Sequence, residues 1–181
     1  APEPAELVAA GREALQWLAA RPVFLFAGVV VLPLLGLPVS PILVLAGAAF
    51  MERFGPVFAG LLAVLAIWLN VVLGYVLAAR VIRRPALWVV RRAGFRLPEF
   101  APGGAVRWTL FFRVAPGIPL VVQNYSLGLL RVPFGVYLAV SLPVQGFFAC
   151  AAALTGGAIL EGRTGLVLAA VGALVVFALV V

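Results

Sequence analysis

Charged residues cut the chain into long apolar runs: residues 22–51, 54–79, 114–130, 132–160 and 164–181 carry none. A helix needs about 20 apolar residues to cross a bilayer, so the pattern first suggests five spans. Proline and glycine revise it. Pro33, Gly36, Pro38 and Pro41 follow in quick succession. Each proline lacks a backbone donor and disfavours helix in the residue before it, so no straight helix passes here. The stretch nevertheless stays apolar to Phe50. Broken backbone at bilayer depth must be shielded by protein. The pattern therefore predicts a first span over 22–36 and a re-entrant hairpin over 37–51. Residues 55–79 read as a span interrupted only by Asn70. The oddity returns over 108–131, where Arg113, Pro116, Gly117, Pro119 and the polar run Gln123, Asn124, Tyr125, Ser126 break the apolar sequence, predicting a second re-entrant hairpin. Residues 133–160 and 161–181 read as further spans. Residues 1–21 mix Leu7, Leu15 and Leu18 with Glu6, Arg12 and Glu13, the pattern of an interfacial amphipathic helix. The fold class is thus an all-α polytopic membrane protein.

Charge sets the orientation. Residues 80–107 hold seven Arg against one acid, Glu99, and such a stretch marks the cytoplasmic side. Span 55–79 then runs inward and 133–160 outward. A shift of 78 positions carries Pro38 onto Pro116, Pro41 onto Pro119 and Arg53 onto Arg131. The chain reads as two units of hairpin plus span in opposite orientation, the inverted-repeat plan in which a site lies near the midplane.

Composition narrows the chemistry. Of 181 residues, 65% are hydrophobic and 10% charged, which a soluble domain of this size could not bury. All 13 basic residues are Arg, all 6 acids are Glu, and there is no His. This excludes Ser–His catalysis and His-ligated metal, and the single Cys150 excludes an internal disulfide. No cofactor and no metal is expected, and no enzyme activity. The basic balance belongs to membrane flanks rather than to nucleic acid. A homo-oligomer is left open.

Arg113 stands out. An ionisable group in an apolar stretch marks a substrate path by default, and guanidinium matches phosphate. The alternative is snorkelling to the interface beside Arg107. Asn124, with Gln123 and Tyr125 beside it, suits a headgroup contact or the capping of broken backbone. Ser40 is the polar side chain of the first hairpin, and Arg131, matching Arg53, is a substrate contact or an interfacial anchor. Pro38, Pro41, Pro116 and Pro119 break the helices, while Gly47 and Gly128 permit close helix approach.

The stretch Arg113-Val-Ala-Pro116-Gly-Ile-Pro119, with Asn124-Tyr125 and Gly128-Leu-Leu-Arg131, resembles the signature of the VTT-domain proteins, the DedA superfamily or SNARE-associated Golgi proteins. Leu37-Pro38-Val-Ser40-Pro41 with Ala46-Gly47 resembles that family's first hairpin, and the likeness covers roughly residues 36–157. DedA proteins proper tend to carry an acid in the first hairpin, where Val39 and Ser40 stand, and a second Arg near Pro119. The chain is therefore more similar to the Tvp-like branch, without the acid proposed for proton coupling. The resemblance implies two facing re-entrant helices. It also implies a scramblase or flippase for a phospholipid or polyprenyl phosphate, located in a bacterial cytoplasmic (inner) membrane.

The charge argument makes a labelling prediction. In a Cys150→Ala background, single cysteines at Arg92 and at Gly162 should react with a membrane-impermeant thiol reagent from opposite sides of the membrane. Reaction of both from one side would overturn the orientation.

Overall fold

The computed structural model describes residues 21–92, 104–115 and 117–160. The amphipathic helix expected over 1–21 (apart from Arg21), Pro116 and the span expected over 161–181 lie outside the described residues. Every described element is helical: α1 (Pro22–Val31) with a 3-10 turn (Leu32–Leu35), α2 (Val39–Leu77), a π turn (Ala78–Ile82), α3 (Arg83–Arg92), α4 (Gly104–Val114), α5 (Leu120–Leu129) and α6 (Phe134–Leu160).

Proline and glycine mark most of the helix ends. α1 starts on Pro22, where a missing N–H costs nothing. Its 10 residues rise about 15 Å, half a bilayer core of about 30 Å. The span expected over 22–36 is therefore a short helix and its closing turn. Gly36, at φ 94°, ends that turn, and the amides of Gly36 and Leu37 reach back to the Pro33 and Leu32 carbonyls at 3.2 and 3.3 Å. The chain reverses at 32–38, and residues 39–54 are one helical limb. This corrects the hairpin expected within 37–51. Pro38 is the N-cap of α2 and Pro41 lies in its first turn, where no intrahelical acceptor exists for their missing donors. Exposed Pro41 therefore lets the helix continue.

α2 breaks at Gly55, with φ 80° and ψ 170°, a conformation open to glycine. Pro56 then begins the second limb, 56–77, close to the expected span. The segment expected as a second re-entrant hairpin is two short helices with a bend between them: α4, then Gly117 at φ 82°, then α5 with Pro119 as N-cap. α5 closes on Arg131, whose φ of 53° is the one positive value at a non-glycine among the described residues. The amides of Arg131 and Val132 return to the Gly128 and Leu127 carbonyls at 3.1 and 3.2 Å, the bonding of a Schellman end. α6 continues through Pro143 for 27 residues.

Among the described residues two helices are long and apolar enough to cross a membrane, Val39–Trp88 and Phe134–Gly156, and only 39% of the most apolar 18-residue stretch of each is buried. A soluble core helix would be covered all round. On the 56–77 limb the packed face is mostly small, Ile67, Asn70 and Val71 excepted, and the outer face bulky. Ala59, Gly60, Ala63, Ala66 and Gly74 are buried, while Val57, Phe58, Leu61, Leu65, Leu69 and Leu73 are exposed. Water penalises that inside-out arrangement, whereas lipid accepts it.

Close seams hold the helices. A Cβ on Gly47 would overlap the backbone of Ala153, and one on Gly156 would overlap that of Val44. On the other side a Cβ on Gly128 would lie 2.6 Å from Ala78 Cβ and 2.9 Å from the Tyr75 carbonyl. The 56–77 limb and α6 run antiparallel: Gly60 faces Cys150, Trp68 Nε1 donates to the Leu142 carbonyl at 2.9 Å, and the Tyr137 hydroxyl donates to that of Val71.

Gly47→Ala should therefore destabilise strongly, at or beyond the about 1–3 kcal/mol of ordinary overpacking, because backbone cannot give way as a side chain can. Arg131→Gly should instead stabilise by about 1 kcal/mol through relief of the left-handed backbone. Thermal unfolding of the detergent-solubilised chain checks both signs.

Candidate functional site

The polar side chains expected along α4 and α5 converge on a buried cluster with three more from α6 and one from α2. Arg113, in the last turn of α4, is 3% exposed. It does not snorkel to the interface. Its Nε donates to Ser141 Oγ at 2.9 Å and its Nη1 to Gln123 Oε1 at 3.1 Å, while its Cζ lies 5.1 Å from the centre of the Tyr137 ring. Cation–π attraction strengthens when both groups are desolvated. Gln123 Oε1 also accepts from Gln145 Nε2 at 3.1 Å, and Gln123 Nε2 donates to the Ile118 carbonyl at 2.9 Å. That last bond ties the side chain to the bend between α4 and α5.

Asn124 leads into the second half of the cluster. Its Nδ2 donates to Asn70 Oδ1 at 3.1 Å, and Asn70 Nδ2 donates to the Val30 carbonyl at 2.8 Å. The Tyr137 hydroxyl stands 3.0 Å from Asn124 Oδ1 and 2.9 Å from the Val71 carbonyl, with one proton to donate between them. Gly74 makes room for the arrangement, since a Cβ there would come within 2.8 Å of Asn124 Nδ2. The network thus links α1, α2, α4, α5 and α6.

Electrostatically the cluster is unbalanced. The one acid among the described residues is Glu52, which is exposed. Arg113 is therefore buried with neutral partners alone among them, and its Nη2 has no hydrogen-bond partner there. A buried cation without an opposite charge carries a heavy desolvation cost. A ligand anion would offset that cost, and the free Nη2 beside the bonded Nη1 is the geometry that accepts one. The cluster has no group of metal-ligating side chains among the described residues.

The other residues singled out in the sequence lie elsewhere. Tyr125 is half-buried and donates to the Leu34 carbonyl at 2.8 Å, joining α5 to the turn of the first hairpin. Ser40 is exposed in the first turn of α2, and no hydrogen bond joins it to the network, which uses the 56–77 limb of that helix. Arg131 is exposed at the closing bend of α5. Ser40 and Arg131 are accordingly not contacts of this cluster. Tyr137 and Ser141 are the additions. With Gln145 they recur every four residues along an apolar helix, and that spacing places them on one face.

Comparison with known protein families, with curated proteins and with solved structures gives no match.

The Asn70–Asn124 bond should show a coupling of about 0.6 kcal/mol, and not more than about 1.7, the scale of interhelical side-chain bonds in membrane proteins. A double-mutant cycle of Asn70→Ala and Asn124→Ala, read as unfolding free energy in detergent micelles, measures it.

Proposed function

We propose that the chain is a membrane lipid transporter of the flippase or scramblase type. It would move a phosphate-bearing lipid between leaflets, with Arg113 as the phosphate contact and Gln123 and Asn124 beside it. The observation that carries this reading is the buried guanidinium with an unpartnered Nη2 and, among the described residues, no carboxylate near it. A lipid phosphate supplies the missing charge, and the planar fork suits its oxygens. Passage then requires α4 to part from α5 and α6, exchanging Gln123 and Ser141 for phosphate oxygens.

The inverted-repeat reading supports the proposal from a different side. Positive φ recurs at Gly36 and Gly117, the bends of the two hairpins, and at Gly55 and Arg131, the breaks that follow. The close seams also correspond to within a helical turn: Gly47 meets Ala153 and Gly128 meets Tyr75, and the shift of 78 positions carries Tyr75 onto Ala153 and Gly47 onto Tyr125, three residues from Gly128. Each unit's second hairpin limb thus packs on the other unit's long helix, the exchange a two-fold relation generates. We read α1 with residues 39–54, and α4 with α5, as re-entrant pairs, since α1, α4 and α5 are too short to cross. The resemblance to the VTT-domain proteins points the same way, and we place the chain in a bacterial cytoplasmic membrane with residues 80–107 inside. No catalytic step is part of this reading.

The tightness of the Gly47 and Gly128 seams favours a second reading, a membrane scaffold that transports nothing. Reconstitution separates the two. Proteoliposomes with labelled phospholipid or polyprenyl phosphate should move the label faster than empty liposomes. Arg113→Ala should abolish that movement while the protein still folds, and Arg113→Lys should restore it in part, because Lys keeps the charge and loses the fork. The scaffold reading expects no movement by the native chain. An Arg113→Ala protein that folds and transports at the native rate would remove Arg113 from the site.

A further inference from the structure

The second constructed polar surface of the molecule lies at the far end of α2, away from the buried cluster. The 56–77 limb passes through the π turn Ala78–Ile82 directly into α3, so α3 is the arginine-bearing end of the long apolar helix Val39–Trp88 and runs four residues beyond it. Five Arg fall between positions 80 and 92, with no acid among them. Arg84, Trp88 and Arg92 recur every four residues and are exposed, which places them on one face of the helix. With Leu87 they line a groove of about 480 Å³. The Arg92 guanidinium stacks over the Trp88 ring at 5.5 Å. Arg83 is tied elsewhere, its Nε donating to the Leu129 carbonyl at 3.2 Å, and this bond anchors α3 against the end of α5.

Each part of the groove answers to one kind of occupant. Indole prefers the boundary between hydrocarbon and water. The two guanidiniums flank it one helical turn to either side and present planar donors suited to phosphate oxygens. Leu87 offers an apolar wall. An acidic peptide would use the charges and leave the indole and leucine wet, while a zwitterionic lipid would bring a cation toward two arginines. Clustered arginines next to a transmembrane helix hold anionic lipid. We propose that the α3 groove binds one anionic glycerophospholipid, its phosphodiester between Arg84 and Arg92 and its glycerol and upper acyl carbons against Trp88 and Leu87. The lipid would be a resident of this face and not the transported substrate.

The test reads Trp88 itself, so that lipid held at Arg113 does not contribute. The full chain is reconstituted in phosphatidylcholine vesicles doped with either phosphatidylglycerol or phosphatidylcholine brominated near the top of its acyl chains. The Trp88 signal is the fluorescence difference between the native chain and Trp88→Phe. Brominated phosphatidylglycerol should quench that signal at a lower mole fraction than brominated phosphatidylcholine. Arg84→Gln with Arg92→Gln should erase a preference of about 25-fold, about fivefold for each arginine. Both side chains are exposed, so the double variant is expected to fold. Equal quenching by the two lipids in the native chain, or a preference that survives the double substitution, would overturn the proposal. Either result leaves the role of Arg113 untouched, since Arg113→Ala is read by transport alone.

Discussion

Burying the Arg113 guanidinium among helices whose one described acid is exposed obliges neutral side chains to supply the acceptors it gets. Ser141 and Gln123 do so directly, and Tyr137 adds the face of its ring. Each of these groups is oriented by another. Gln123 is held by Ile118 and Gln145, and Tyr137 is held through its hydroxyl by Val71 and Asn124. Hydrogen bonds in such a network reinforce one another, and an unpaired member is costly in apolar surroundings. The meeting of α4, α5 and α6 is therefore specified by polar geometry as well as by apolar contact.

Around that cluster the packing uses small residues. Lipid tails are as apolar as leucine, so burying a large side chain between helices gains little, and close backbone approach gains more. Gly47, Gly128 and Gly156 each sit where a side chain would strike neighbouring backbone. On the 56–77 limb most of the large apolar residues turn outward instead, Ile67 and Val71 excepted. Two of the breaks, at Gly36 and Arg131, close their own carbonyls by short-range bonds. Such bonds lower the cost of irregular backbone within an apolar molecule.

The sequence by itself determined the class and the punctuation. Apolar run lengths, the Arg-rich stretch and the paired prolines needed no structure, because each is a local consequence of transfer cost or of a missing backbone donor. They identified the helices over 55–79 and 133–160 and the irregular segment between Arg107 and Arg131. Arg113, Gln123 and Asn124 were legible as well, since polar groups in an apolar run are conspicuous wherever they point.

Tertiary structure decided the rest. Proline has a different meaning within a helix and in its first turn, and only the fold puts Pro41 in the first turn and moves the reversal back to 32–38. Ser40 and Arg131 look as polar in sequence as Gln123, yet both face outward, because burial depends on which helix crosses which. Tyr137, Ser141 and Gln145 form a visible stripe, but nothing along the chain says that Arg113 meets it. That encounter joins residues far apart in sequence, and it is set by how closely glycine and alanine let the helices approach.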